Sequence, residues 1–166
     1  MVNLSRLVRH LAATPWRLRR AFPAPVLSAI EAAIRTGETC HLGEIRFVVE
    51  GALSLGALWR GQTARARALE VFSLLRVWDT EHNNGVLVYL LLAEREVEII
   101  ADRGIDRLVG EAEWERLCRI MEEHFRAGEF ERGVLEAVAN IGLHCERHYP
   151  LKGDNPNELP DRPTLL

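Results

Sequence analysis

Seven consecutive apolar residues, Val86-Leu87-Val88-Tyr89-Leu90-Leu91-Leu92, constrain this chain more than any other feature. The run is too short to span a membrane, and a half-exposed strand would alternate instead. A central strand covered on both faces accommodates it, and such a strand demands layers of other elements above and below. Asn84-Gly85 leads directly into it, and both residue types tolerate the positive φ that a tight turn requires.

The neighbouring patterns supply the rest of a sheet. From Glu44 to Glu50 the sequence alternates, with Ile45, Phe47 and Val49 on one side and Glu44, Arg46 and Glu50 on the other, as in a strand. Glu94-Arg95 turns the apolar run into a third strand, Glu96 to Asp102. Between the first two strands Thr63 caps a helix carrying Ala66, Leu69, Val71, Phe72, Leu75 and Val77. Strand, helix, strand is a crossover, so these two strands are expected to be parallel, and the third returns antiparallel. Further helices are expected over 111–126, on Trp114, Leu117, Cys118, Met121 and Phe125, and over about 131–146. The fold class is therefore α/β, a small mixed sheet built from a βαβ crossover plus a hairpin.

Residues 1–37 read as an N-terminal helical extension. Leu4, Leu7, Val8 and Leu11 have helical spacing, Pro15 breaks the pattern, and Pro25 opens a second helix through Arg35. Trp16, Leu18 and Phe22 alternate with Arg17, Arg19 and Arg20. Residues 38–150 form the α/β domain, and residues 151–166, with Pro156, Pro160 and Pro163, are expected to be an irregular tail. The sheet and three helices follow Gly37, so residues 1–22 are expected to be dispensable for the fold.

With a net charge of -3 over 166 residues, nothing speaks for nucleic acid as a partner. The distribution is uneven, though: no acid precedes Glu31, whereas Arg6, Arg9, Arg17, Arg19 and Arg20 do. Residues 4–22 are therefore a candidate peripheral contact with an anionic membrane, with Trp16 and Phe22 as anchors. The alternative is a helix packed on the domain with its arginines outward. Three cysteines without framework spacing suit a reducing compartment, and Pro23 and Pro25 make a poor signal core after Arg19-Arg20. The expected location is cytoplasmic, at most peripheral to a membrane.

The topology has a consequence for function. The start of the first strand (Cys40, His41, Glu44), the loop entering the second (Asp79 to Asn84) and the exit of the third (Asp102, Arg103, Asp106) should share one edge of the sheet. Ligand crevices of parallel sheets usually lie at the opposite, carboxyl end.

The ordered pieces Gly43-Glu44-Ile45-Arg46-Phe47-Val48-Val49-Glu50, Asn84-Gly85-Val86-Leu87 and Glu98-Ile99-Ile100-Ala101-Asp102-Arg103-Gly104-Ile105 resemble the TPM domain family. So do Trp114 and the stretch Phe125-Arg126-Ala127-Gly128-Glu129-Phe130-Glu131-Arg132-Gly133 that follow. The resemblance spans roughly residues 41 to 150. That family includes thylakoid proteins and many bacterial ones. The resemblance implies a three-layer α/β/α sandwich, and for some members calcium binding and acid phosphatase activity on small phosphoesters. The chain is expected to be a short form without the export signal and C-terminal membrane helix of larger members. Where many members carry Asp-Asn-Gly, it has Asn83-Asn84-Gly85.

Two chemistries compete for the converging edge. A hard cation takes six to eight oxygens, and Asp79, Glu81, Asn83, Asn84 and Asp102 could supply several. Calcium is the expected ion, weakened by the neutral amide at Asn83, in a module that meets an unidentified protein partner. Phosphoester hydrolysis would need cationic clamps, with Arg46, Arg65, Arg67 and Arg103 as candidates and Arg46 and Arg103 preferred. It would also need proton transfer by Asp79 or His82. A metal-free interaction module is the third reading, in which Asp79 caps its loop and Asp102 pairs with Arg103 or Arg46. His144 and His148 are spaced for a metal, but the sequence lacks the glutamate of HExxH chemistry.

Overall fold

The computed structural model describes residues 4–166. The chain begins with helices α1 (Leu4–Ala12), α2 (Pro15–Ala21) and α3 (Ala24–Gly37), then strand β1 (Glu44–Glu50). Helices α4 (Leu55–Trp59) and α5 (Ala64–Leu74) lead to β2 (Gly85–Leu91) and β3 (Glu96–Ala101). Helices α6 (Arg103–Val109), α7 (Glu111–Arg126) and α8 (Phe130–His148) follow, and a short strand β4 (Thr164–Leu165) closes the chain.

The sheet has the order β3-β2-β1-β4. β1 and β2 run parallel with Glu44 opposite Gly85, and β2 and β3 run antiparallel with Val86 opposite Ala101. The expected crossover and hairpin are both present. Every residue of β1 and β2 is buried, as the uninterrupted apolar run demands. Side-chain alternation splits the interior into two cores. Ile45, Phe47, Val49, Val86, Val88 and Leu90 pack against α3, α7 and α8. Val48, Leu87, Tyr89 and Leu91 pack against α4 and α5. The result is a three-layer α/β/α sandwich on a mixed sheet.

Several local expectations change, each for a traceable reason. Residues 15–21 are helical rather than alternating: Thr14 Oγ1 accepts from the Arg17 N–H at 3.4 Å, and Pro15 sits in the first turn, where its missing N–H is harmless. The five-residue α4 is too short for a periodic signal; the Ser54 hydroxyl caps it by accepting from the Ala57 N–H at 3.2 Å. Asp102 ends β3 by starting α6. The tail, expected to be irregular, crosses the outer side of β1 and pairs with it in parallel, Thr164 opposite Val48 and Leu165 opposite Val49.

The extension also belongs to the molecule more closely than the sequence implies. Leu18 and Phe22 are buried in the larger core, and Phe22 meets Phe47 and Phe130 with ring centroids 5.6 Å apart in each case, so Phe22 is a core residue and not the membrane anchor expected of it. His10 is buried: its Nδ1 accepts from the Leu53 N–H at 3.0 Å, which leaves Nε2 to donate to Glu94 at 2.6 Å. The expectation that residues 1–22 are dispensable is therefore corrected, because removing them would open the main core.

Candidate functional site

The three polar segments do meet. At the edge where β1 and β2 begin, the Asp102 N–H donates to the Gly85 carbonyl at 2.8 Å and the Ile105 N–H to the Asn83 carbonyl at 3.2 Å. On the other flank Asn84 Nδ2 donates to the Leu42 carbonyl at 2.8 Å. Two glycines allow this closeness. A Cβ on Gly104 would collide with the Asn83 carbonyl and come within 2.9 Å of that of His82; a Cβ on Gly85 would collide with the Val77 carbonyl. Asn83 itself takes a positive φ of 51°, which asparagine tolerates better than most residues.

The candidate ligands differ in what the fold does with them. Asn84 is fully buried; Thr80 Oγ1 accepts from its N–H at 3.2 Å, but its side-chain oxygen Oδ1 has no partner. Asp102 is also buried. Its Oδ1 accepts from the Arg103 N–H at 2.7 Å as the cap of α6, and its Oδ2 has no partner either. Both orphaned oxygens belong to residues flanking Gly85 in the sheet. Asp79, by contrast, lies exposed in a 2.6 Å ion pair with Arg76. Glu81, His82 and Asn83 are exposed along the loop, and the Glu81 N–H donates to the Glu158 carboxylate at 3.0 Å. Among the described residues, no three His, Cys, Asp or Glu side chains group closely enough to hold a metal alone. A cation at this edge would draw on the two orphaned oxygens plus loop carbonyls, water and the exposed acids.

The proposed phosphate clamps are scattered. Arg46 is buried against the tail, donating to the carbonyls of Pro160 and Arg162 and to Thr164 Oγ1 at 2.7 Å. Arg67 holds Glu50 through two bonds of 2.8 and 3.2 Å, and Arg65 lies on Glu98. Arg103 is exposed. His144 is held by Glu113 at 3.0 Å and packs edge-on to Trp114.

A second layer of acids lies behind the edge, and sequence reasoning missed its use. Glu44 accepts from the N–H groups of Glu158 and Leu159 at 3.2 and 3.0 Å, fastening the tail across the site. Burial pushes its carboxyl up to about 7. Glu38 accepts from the Ile45 N–H at 3.0 Å and is pushed up to about 9, chiefly by burial, with Glu44 and Asp161 adding to the rise. His41 donates through Nδ1 to the Gly43 carbonyl at 3.1 Å, and burial lowers its basicity while Nε2 has no partner. The sequence placed His41 and Glu44 at this edge but gave no sign that they are buried, since Glu44 falls on the polar side of an alternating strand; Glu158 sits in a Pro-rich segment that carries no periodic signal.

The TPM domain family model matches residues 21–143. Among solved structures, the BA42 protein from the psychrophilic bacterium Bizionia argentinensis superposes with a TM-score of 0.75 and 28% sequence identity, over 86% of this chain and 93% of that one. The N-terminal domain of a protein from P. gingivalis superposes with a TM-score of 0.56 and 20% identity, over 74% of this chain and 76% of that one, a likeness of fold. No curated protein matches the chain.

Proposed function

This chain belongs to the TPM domain family, and from that premise we propose that it is a calcium-binding module with a role in assembly with a protein partner rather than in turnover. The observation that carries the reading is the pair of orphaned buried oxygens, Asn84 Oδ1 and Asp102 Oδ2, on either side of Gly85. A buried acceptor left without a donor is costly, and buried polar atoms in native proteins are nearly always satisfied. Amide and carboxylate oxygens are hard ligands, so a calcium ion at this edge would satisfy both at once. Glu81 would add charge from the exposed loop, and Asp79 would do so on leaving Arg76. Asn83 acts through its backbone, whose carbonyl already accepts from Ile105. With one buried carboxylate in the set, the affinity expected is that of weak extracellular-type sites, roughly 10⁻⁴–10⁻³ M. Turnover of phosphoesters is the less supported reading, because the tail occupies Arg46 and leaves Arg103 as the remaining clamp.

Amide chemical shifts recorded during a calcium titration test the proposal. The amides of residues 79–85 and 102–106 should move at millimolar calcium, and the melting temperature should rise, since a ligand selective for the native state stabilises it. Asp102→Asn should abolish both effects while leaving the fold intact, because asparagine caps a helix as well as aspartate does. Absent shifts, or equal shifts in the variant, would overturn the cation reading. Hydrolysis of p-nitrophenyl phosphate by the wild-type protein, lost in Asp102→Asn, would favour the enzyme instead.

A further inference from the structure

The carboxyl end of β1 and β2, opposite the candidate cation edge, carries a different chemistry. There a groove of about 1550 Å³ opens between α1 and α2 on one side and the β2–β3 and α7–α8 turns on the other. Arg9, Arg17, Arg20 and Arg95 line it beside Trp16 and Phe130. None of these four arginines forms an ion pair among the described residues, and Arg20 lies over the Trp16 ring at 5.2 Å. Of the four acids in its walls, Glu94 is held by Arg6 at 2.5 Å and His10 at 2.6 Å, and Glu129 and Glu136 by His124 at 2.8 and 2.9 Å, while Glu131 is exposed. With Arg132, five arginines face four glutamates in the lining, and because three of those glutamates are held by partners, the groove presents unpaired arginines beside apolar side chains.

Helix α1 is docked the wrong way round for a packing helix. An amphipathic helix that serves only to cover a core turns its apolar stripe inward. Here the inward side is polar, anchored by buried His10 and by Arg6, with Leu7 as its main apolar contact. The stripe Leu4, Val8 and Leu11, at i, i+4 and i+7, stands 73%, 57% and 63% exposed. Trp16 on α2 is 63% exposed beside it. A leucine stripe, an exposed tryptophan and unpaired arginines in an acid-free segment are the parts of an interfacial helix: apolar residues to enter the acyl boundary, cations to meet the headgroups.

We propose that the α1–α2 corner is a docking surface for a bilayer rich in anionic lipid, with the arginine-lined groove receiving the lipid phosphates. The polar anchoring of α1 holds this surface in place on the folded domain, so the contact is rigid and needs no prior unfolding.

Co-sedimentation with phosphatidylcholine vesicles, with and without phosphatidylglycerol, tests the proposal on the full-length protein. Binding should require phosphatidylglycerol and should fall as salt rises. Arg9→Gln/Arg17→Gln should weaken it by about fivefold for each arginine removed, the equivalent of ~1 kcal/mol per cation near an anionic surface. Leu4→Ser/Val8→Ser/Leu11→Ser should abolish it. Both variants change exposed side chains, so an unchanged melting temperature is expected and separates lost binding from lost fold. No sedimentation at low salt overturns the proposal, as does equal binding to pure phosphatidylcholine or wild-type binding by both variants. If millimolar inorganic phosphate displaces the protein at constant ionic strength, the groove reads a free anion and the bilayer assignment fails.

Discussion

At the scale of single residues, the most unusual feature is the number of carboxyl groups held inside the sandwich. Glu44 and Glu38 sit behind the candidate cation edge with values pushed to about 7 and about 9, above an ordinary value of 4.5. A carboxyl whose folded value is raised binds its proton more tightly in the native than in the unfolded chain. Its contribution is fully present below about 4.5 and is lost as pH rises through the folded value. The melting temperature should therefore fall progressively from about pH 4.5 to about pH 9, first through Glu44 and then through Glu38. Glu38→Gln keeps the acceptor for the Ile45 N–H and removes the later part of the fall, so at pH 9 the variant should melt above the wild type. A wild-type melting temperature that does not change across this range would show that neither group is perturbed. Glu50, also buried, is held on two sides, by Arg67 at 2.8 Å and by the Tyr89 hydroxyl at 2.7 Å.

At the scale of elements, the extension and the tail decide how the sandwich is completed. Phe22 is 1% exposed between Phe47 and Phe130, so Phe22→Ala should cost about 3–5 kcal/mol, read as a lower midpoint in urea. A loss below ~1 kcal/mol would mean that the extension only rests on the domain. These same elements mark where the sequence was legible and where it was not. β1, α7 and the crossover could be read directly, from alternation, from helical spacing and from an unbroken apolar run of strand length bounded by turn residues. The convergence of the loop before β2 with the exit of β3 followed from that topology alone. Helix α2 could not be read from alternation, since Trp16, Leu18 and Phe22 mimic a strand, and the decisive signal was the Thr14-Pro15 cap. The tail carried no signal, because its attachment depends on Glu44 and Arg46 of a distant strand, which in sequence look like the solvent side of an alternating pattern. Burial of those two side chains makes sense only once the tail lies over them.

At the scale of the whole molecule, the sheet separates two surfaces: a converging oxygen-rich edge where β1 and β2 begin and a basic groove where they end. Among the described residues no helix is long and apolar enough to cross a membrane. The tail adds a property of a different kind, which concerns time. Arg46 and the Pro160 carbonyl it grips are 114 residues apart, and β4 offers only two residues of pairing in return. Closing so long a loop exacts most of its entropy before any reward arrives, and contacts of this separation slow folding. The hairpin β2–β3 and the α7–α8 pair, whose partners are near in sequence, can form while the chain is still open. Refolding should accordingly show two stages in hydrogen-exchange labelling: early protection of Leu87 to Leu91, and late protection of the Glu158, Leu159 and Leu166 amides. Simultaneous protection of both sets would mean that the tail docks with the sheet rather than after it. Newly made protein would then pass through an interval in which the sandwich is assembled and its outer β1 edge is still bare, ready to pair with whatever strand arrives first.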